Sequence, residues 1–235
     1  MPQVADTRDA APAAPGLAGR LEKRMGRDVE RIAFFSDAVF AIAITLLSVR
    51  IAVPVGAIRL GRALAQQWPE YFSFALTFYV IGSYWISHHA MFRVVRRYDG
   101  VLLRVNLVFL ATIAFLPFPT EVIGRYVGRT SAVVLYASCV AACSLTMSLV
   151  WRTADRRRLL DTELSQPMID YYRSRGVVAS LPFLVSIPVA FAAPTIAMFI
   201  WASLIPLGWL GARRERRLLT THGVAAGDPA SPPAA

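Results

Sequence analysis

Three apolar stretches of this sequence carry residues able to do chemistry. Ser36 and Asp37 interrupt the run 31–49, Trp85, His88 and His89 stand near the end of the run 71–92, and Asn106 lies early in the run 105–120. A carboxylate close to imidazoles can relay protons or help hold a metal ion. The same groups can instead close a hydrogen-bond network. Adjacent His88 and His89 project about 100° apart on a helix, so they do not readily share one ion; zinc helices space their histidines i, i+4 for that reason. Ionisable groups in an apolar segment are costly unless partnered, and a buried network must be nearly fully satisfied. The reading favoured here is therefore structural: Asp37 and Ser36 accept from the Trp85 indole, a His88 nitrogen and the Asn106 amide. A proton relay through Asp37 and His88 is the alternative.

Other chemistry finds little support. Cys139 and Cys143, at i, i+4, read as small packing residues, and two cysteines are too few for a disulfide scaffold or a multi-cysteine metal module. No nucleophile elbow, phosphate-binding glycine loop or HExxH occurs. Neither an enzyme nor a cofactor or metal site is expected.

The elements that must hold these residues follow from composition. Of the 235 residues 56% are hydrophobic and 17% are charged, and mean hydropathy is +0.49. Soluble domains run near 25% charged, so apolar side chains here must face lipid. A membrane span needs about 20 mostly apolar residues. The runs 31–49, 71–92, 105–120 (extendable to 101 because Arg104 can snorkel) and 130–151 each meet or approach this. The uncharged stretch 176–212 is too long for one span and should turn back at 192–195. Six transmembrane helices result. Continuous apolar runs, not alternating ones, exclude a β-barrel.

The charge of +10 could suggest nucleic acid, but its placement argues otherwise. With the N-terminus inside, twenty of the 25 basic residues fall on the cytoplasmic side; Arg50, Arg59, Arg62, Arg125 and Arg129 fall outside. That is a positive-inside pattern with both termini in the cytoplasm. Residues 1–27 contain no signal-peptide core. They read as a disordered cytosolic tail, as do residues 220–235, leaving 28–219 as the transmembrane domain. Leu60, Leu64 and Trp68, spaced i, i+4, i+8, predict a short helix lying in the outer interface. The loop 152–175 reads as part helical extension and part connector. Lys23 is the only lysine, consistent with GC-rich coding and a bacterial inner-membrane protein.

On a helical wheel Ala38, Ile42, Thr45 and Val49 fall within about 60° of arc. By itself such a stripe is an ordinary packing face. However, Arg31-x-x-x-Phe35-Ser36-Asp37, followed by the run 38–47, resembles the signature of prokaryotic relatives of the lysosomal TMEM175 potassium channel. Tyr84-Trp85-Ile86-Ser87-His88-His89 is similar to that family too, and no TVGYG filter is present. The resemblance implies a passive potassium-permeable channel, a homotetramer in which four copies of the first span line the pore. It implies an apolar constriction at Ile42, a hydroxyl ring at Thr45 and a further apolar ring at Val49. Arg31, Phe35, Ser36, Asp37, Trp85, His88 and Asn106 would then support the pore without lining it. Where many bacterial members carry leucine, this chain has the β-branched Ile42, which changes the ring's diameter.

The rival function is a proton-coupled secondary transporter using Asp37 and His88. Transporters commonly show internal repeats with broken helices at matching positions, and residues 31–120 and 130–212 show no convincing repeat.

Overall fold

The computed structural model describes residues 17–161 and 166–203, together with 208, 210, 211, 213, 214 and 217. Among these residues the chain is helical and forms no strand, apart from an isolated antiparallel bridge between Val95 and Leu160. The first helix, α1 (Leu17–Val49), begins well before the apolar run. Residues 17–27, assigned above to a disordered tail, are helical, because Leu, Ala, Arg, Glu, Lys and Met are all good helix formers. Residues 1–16 and 220–235 lie outside the described part. A short α2 (Leu60–Gln66) follows, then α3 (Trp68–Phe92), entered through Pro69 in its first turn, where a missing N–H costs nothing.

Helix α4 (Gly100–Phe115) is capped by Asp99, whose carboxylate accepts from the N–H groups of Val101 and Leu102 at 3.0 and 2.8 Å. From the sequence, Pro117 and Pro119 are expected to end the third span near the outer surface; it does not stop at these prolines. Pro117 opens a further helix, α5 (Pro117–Arg125), joined to α4 through Leu116. A proline at the first helical position is pre-set for helix, so these prolines redirect the chain rather than stop it.

Helix α6 (Thr130–Arg156) and α7 (Gln166–Ala192) both extend into the stretch 152–175, which the sequence reads as part helical extension and part connector. The reversal near 192–195 is present: Ala193 separates α7 from α8 (Pro194–Ile200), and a 3-10 turn covers Trp201–Ser203. Among the described residues, four helical segments are long and apolar enough to cross a membrane: Val29–Val49, Gly100–Arg125, Thr130–Arg156 and Ile169–Ala192. Helix α3 has the length, but its serines, tyrosines, tryptophan and histidines dilute its apolar character.

Burial ranks the helices. Helix α6 is the most enclosed, at 56% of its apolar window, and packs against α4, α5, α7 and α8. Helix α1 is the least enclosed, at 22%, although it is the most apolar. It packs on α3, α4 and α5 along one face only. An apolar helix left open on most of its circumference must meet either lipid or other protein.

Candidate functional site

The face that α1 presents to its own subunit is built from Val29, Ser36, Phe40, Ala43 and Leu47, all buried. Ser36 is fully buried among apolar neighbours and must find partners there. Its hydroxyl donates to the Ile32 carbonyl one turn back at 2.8 Å, and its oxygen accepts from Nδ2 of Asn106 on α4 at 3.1 Å. Oδ1 of the same amide meets Nε2 of His88 on α3 at 2.9 Å. With the amide in this orientation the chain of bonds has one polarity: His88 donates to Asn106, Asn106 to Ser36, and Ser36 to a main-chain carbonyl. The imidazole is caged by aromatics. It stacks on Phe92 at 4.5 Å and on Phe109 at 5.7 Å, with Phe40 at 5.5 Å. Three helices are thereby pinned at one depth by a line of satisfied polar groups.

Asp37 belongs to a second, separate contact. Its Oδ1 accepts from the Trp85 indole at 2.9 Å, at the half-open rim between α1 and α3. Trp85 in turn lies against His89, with ring centroids 5.8 Å apart. The single network anticipated above is thus two, because Ser36 and Asp37 project about 100° apart and reach different helices. His88 bonds to Asn106 rather than to either of them.

Arg31 and Phe35 stand outside both networks. Arg31 is exposed and Phe35 is 54% exposed, and among the described residues neither makes a polar contact with the polar set. Their position explains why. Arg31, Phe35, Ala38, Ile42, Thr45 and Val49 recur at intervals of four and three, and every one of them is exposed; Ile42 reaches 59% and Val49 75%. This is a 3.5-residue repeat, the period that holds one seam of a helix against a common axis. The intervals were readable in the sequence from Arg31 onward, whereas the wheel above starts only at Ala38.

Along this seam the one hydroxyl is oriented. Thr45 Oγ1 donates its proton to the Ile42 carbonyl at 2.9 Å, leaving its oxygen lone pairs turned outward as acceptors. Ser48 likewise donates to the Thr45 carbonyl at 2.9 Å. Just past the seam, Arg50 bonds to Glu121 at 3.1 Å, and Glu121 also holds Arg125 at 2.9 Å, so the end of α1 is tied to α5.

Sequence reasoning missed one further polar cluster. Thr120 donates to Thr77 at 2.9 Å, and Thr77 meets the Tyr136 hydroxyl at 3.0 Å, joining α5, α3 and α6. One turn pair away, Tyr84 bonds to the Val140 carbonyl and to Ser144. Threonine and tyrosine are ordinary in apolar helices, so only the shared depth of these residues could have signalled the cluster.

These features define an α-helical integral membrane protein whose first span is anchored on one side by buried polar bonds and bears an open apolar seam on the other. The sequence profile described as endosomal/lysosomal potassium channel TMEM175 matches residues 31–117. A protein named as a potassium channel from Streptomyces collinus is 35% identical over 175 residues, covering 72% of this chain and 85% of that one. Another so named, from Chamaesiphon minutus, is 38% identical over 136 residues, covering 54% and 67%. The crystal structure of a lysosomal potassium-selective channel TMEM175 homolog from Chamaesiphon minutus superimposes with a TM-score of 0.68 at 27% identity, over 79% of this chain and 98% of that one. The chain belongs to the TMEM175 family, a family of ion channels and not of enzymes.

Proposed function

We propose that this chain is a subunit of a potassium-permeable cation channel, conducting passively, in which four copies surround a pore lined by α1. The observation that carries the reading is the exposed seam. An apolar helix with a sustained 3.5-residue repeat, unburied in its own subunit, is suited to meet copies of itself around an axis. Closed cyclic symmetry is the usual arrangement of such assemblies. The potassium assignment rests on the relatives named as potassium channels.

In this reading Ile42 forms the constriction, Thr45 a ring of hydroxyl oxygens one turn further out, and Val49 a second apolar ring. A narrow apolar ring gates by dewetting and admits the ion that sheds water more easily. Potassium holds its water less tightly than sodium. Thr45, whose proton is engaged by the Ile42 carbonyl, offers acceptor oxygens where a partly dehydrated cation must pass. The seam carries no acidic residue, so in this scheme cation preference comes from elsewhere, with carbonyl or hydroxyl dipoles and the span ends as the candidates. The two polar contacts behind the seam fix the rotation of α1. The subunit has six spans with both termini in the cytoplasm and resides in a bacterial inner membrane, as the five apolar runs and the placement of arginine suggest.

Purified protein in potassium-loaded liposomes tests this directly. Potassium should leave down its gradient with no pH difference across the membrane, from a complex whose native mass is that of four chains. Flux that strictly requires a proton gradient would replace the channel with a coupled transporter.

A further inference from the structure

We infer that residues 93–99, between α3 and α4, and residues 156–161, at the end of α6, form a binding surface for anionic phospholipid headgroups. The inference takes from the proposed function only the orientation that places these loops at the cytoplasmic leaflet. Three backbone contacts hold these segments together: the Arg96 and Arg97 N–H groups donate to the Leu159 carbonyl at 3.0 and 3.4 Å, and the Asp161 N–H donates to the Val94 carbonyl at 2.8 Å. Arg96 and Arg97 are thereby pinned beside Arg157 and Arg158. Three acids lie at this clasp: Asp161 is engaged by Arg96 at 2.6 Å and Asp99 by Arg157, while Asp155, half-buried in the last turn of α6, has no ion pair among the described residues. Arg93, Arg97, Arg156 and Arg158 are exposed, and among the described residues none has an acidic partner.

A second observation is conformational. Helix α6 ends in a Schellman motif: the Leu159 N–H reaches the Ala154 carbonyl at 2.9 Å and the Arg158 N–H reaches the Asp155 carbonyl at 2.9 Å. Its left-handed position normally takes glycine. Here it is Arg158, at φ 54°, the one non-glycine residue with positive φ among those described. An arginine kept where glycine is easier holds a guanidinium at that spot against a conformational cost, and such outliers point toward function.

The chemistry that fits is a phosphodiester. Guanidinium groups bind phosphate oxygens in a bidentate fork, and arginine clusters immediately beside a span are suited to acidic headgroups. The clasp sits where α3 ends, α4 begins and α6 ends, which the proposed orientation puts at the headgroup layer. A lipid phosphate there relieves the mutual repulsion that the backbone contacts impose.

Native mass spectrometry of the complex released from phosphatidylglycerol/phosphatidylcholine nanodiscs reads this as the ratio of the two lipids retained. In R97Q and in R158G the preference for phosphatidylglycerol should fall about fivefold per arginine removed. R158G should do so with Tm unchanged or raised, because glycine relaxes the left-handed turn; a purely structural arginine would lower Tm instead. The outer pair R59Q/R62Q should leave the ratio unchanged. Undiminished preference in the R97Q/R158G double variant overturns the inference. So does loss of the retained lipid to millimolar inorganic phosphate, which would make the site one for soluble phosphate. Potassium flux does not enter the readout, so this inference and the channel reading fail independently.

Discussion

The indole Nε1 of Trp85 donates to Oδ1 of Asp37 across 2.9 Å, linking α3 to α1 beside its exposed seam. The bond lies at a rim, with Trp85 40% exposed, so it positions α1 without sealing the carboxylate from its surroundings. Trp85→Phe keeps the ring and deletes the donor. A hydrogen bond contributes a net of about 0.5–1.5 kcal/mol, and the variant should show a lower Tm and, if the proposed tetramer forms, a smaller tetramer fraction on size-exclusion chromatography. Asp37→Ala should do the same, with the potassium-to-sodium ratio of the surviving channels unchanged. Intact tetramers that lose a proton-coupled flux would move Asp37 from scaffold to transport.

Ile42→Asn addresses the opposite face of the same helix. If Ile42 forms the proposed constriction, an amide in place of the branched hydrocarbon will wet it and the dewetting barrier should fall. Potassium flux in liposomes should rise and discrimination against sodium should drop. Because Ile42 is 59% exposed and packs on little within its subunit, the monomer's stability should barely change. Wild-type selectivity in this variant would remove Ile42 from the ion path.

Asn106 joins Ser36 and His88, so its truncation leaves two buried groups wanting partners. Asn106→Ala should destabilise by about 2–4 kcal/mol, the cost of two lost bonds with the buried His88 donor and a Ser36 lone pair left without partners. Ser36→Ala alone should cost less, about 1 kcal/mol. If the polar line acts as a unit, the Ser36→Ala/Asn106→Ala pair should be less damaging than the sum of its parts by 0.5–3 kcal/mol in thermal or denaturant unfolding. Strict additivity would mean the two contacts are independent.

Polar residues inside apolar runs advertised themselves in the sequence, which is why Ser36, Asp37, Trp85, His88 and Asn106 could be singled out beforehand. Their pairing could not be read there, because it depends on which of two neighbouring helices each side chain faces; a step of one residue, from Ser36 to Asp37, changes the partner. Helix ends were harder still. The charged stretch 17–27 has helical propensity but no apolar period, and Pro117 reads as a stop although its fixed φ suits a first turn equally well. Phe35 and Arg31 were assigned to the support by resemblance, whereas their spacing from Ile42 places them on the open seam. The Val95–Leu160 clasp left no trace in either loop alone.

Asp99 gives a pH-dependent prediction. The Leu102 N–H is the main influence holding its carboxyl below the ordinary aspartate range, with the Arg157 guanidinium and the Val101 N–H adding to it. A carboxyl lowered in the folded state stabilises fully above its unfolded value of ~3.9. That stabilisation disappears as pH falls through the lower folded value. Asp99→Asn should therefore have a lower Tm than the wild type near pH 7, and the difference should close below about pH 3.9. A gap in Tm that stays constant down to pH 3 would show that the carboxylate's charge is not what caps α4.

Gly176 on α7 faces Ser144 and Ser148 on α6, with Ser180 one turn further along, all three serines being buried. Small residues at this spacing let two membrane helices approach closely. A Cβ at Gly176 would collide with Ser148 Oγ and lie 3.0 Å from the Ser144 carbonyl. The serine hydroxyl could turn aside, but it already donates to that same carbonyl at 2.9 Å, and the carbonyl belongs to the helix backbone. Gly176→Ala gains up to about 1 kcal/mol of helix propensity, while overpacking of this kind costs about 1–3 kcal/mol. The net effect on Tm should therefore be a decrease. Adding Ser148→Gly removes the hydroxyl contact but not the carbonyl one, so the double variant should recover part of the loss. Full recovery would assign the clash to the hydroxyl alone, and a Gly176→Ala variant as stable as wild type would show that α6 and α7 can separate without cost.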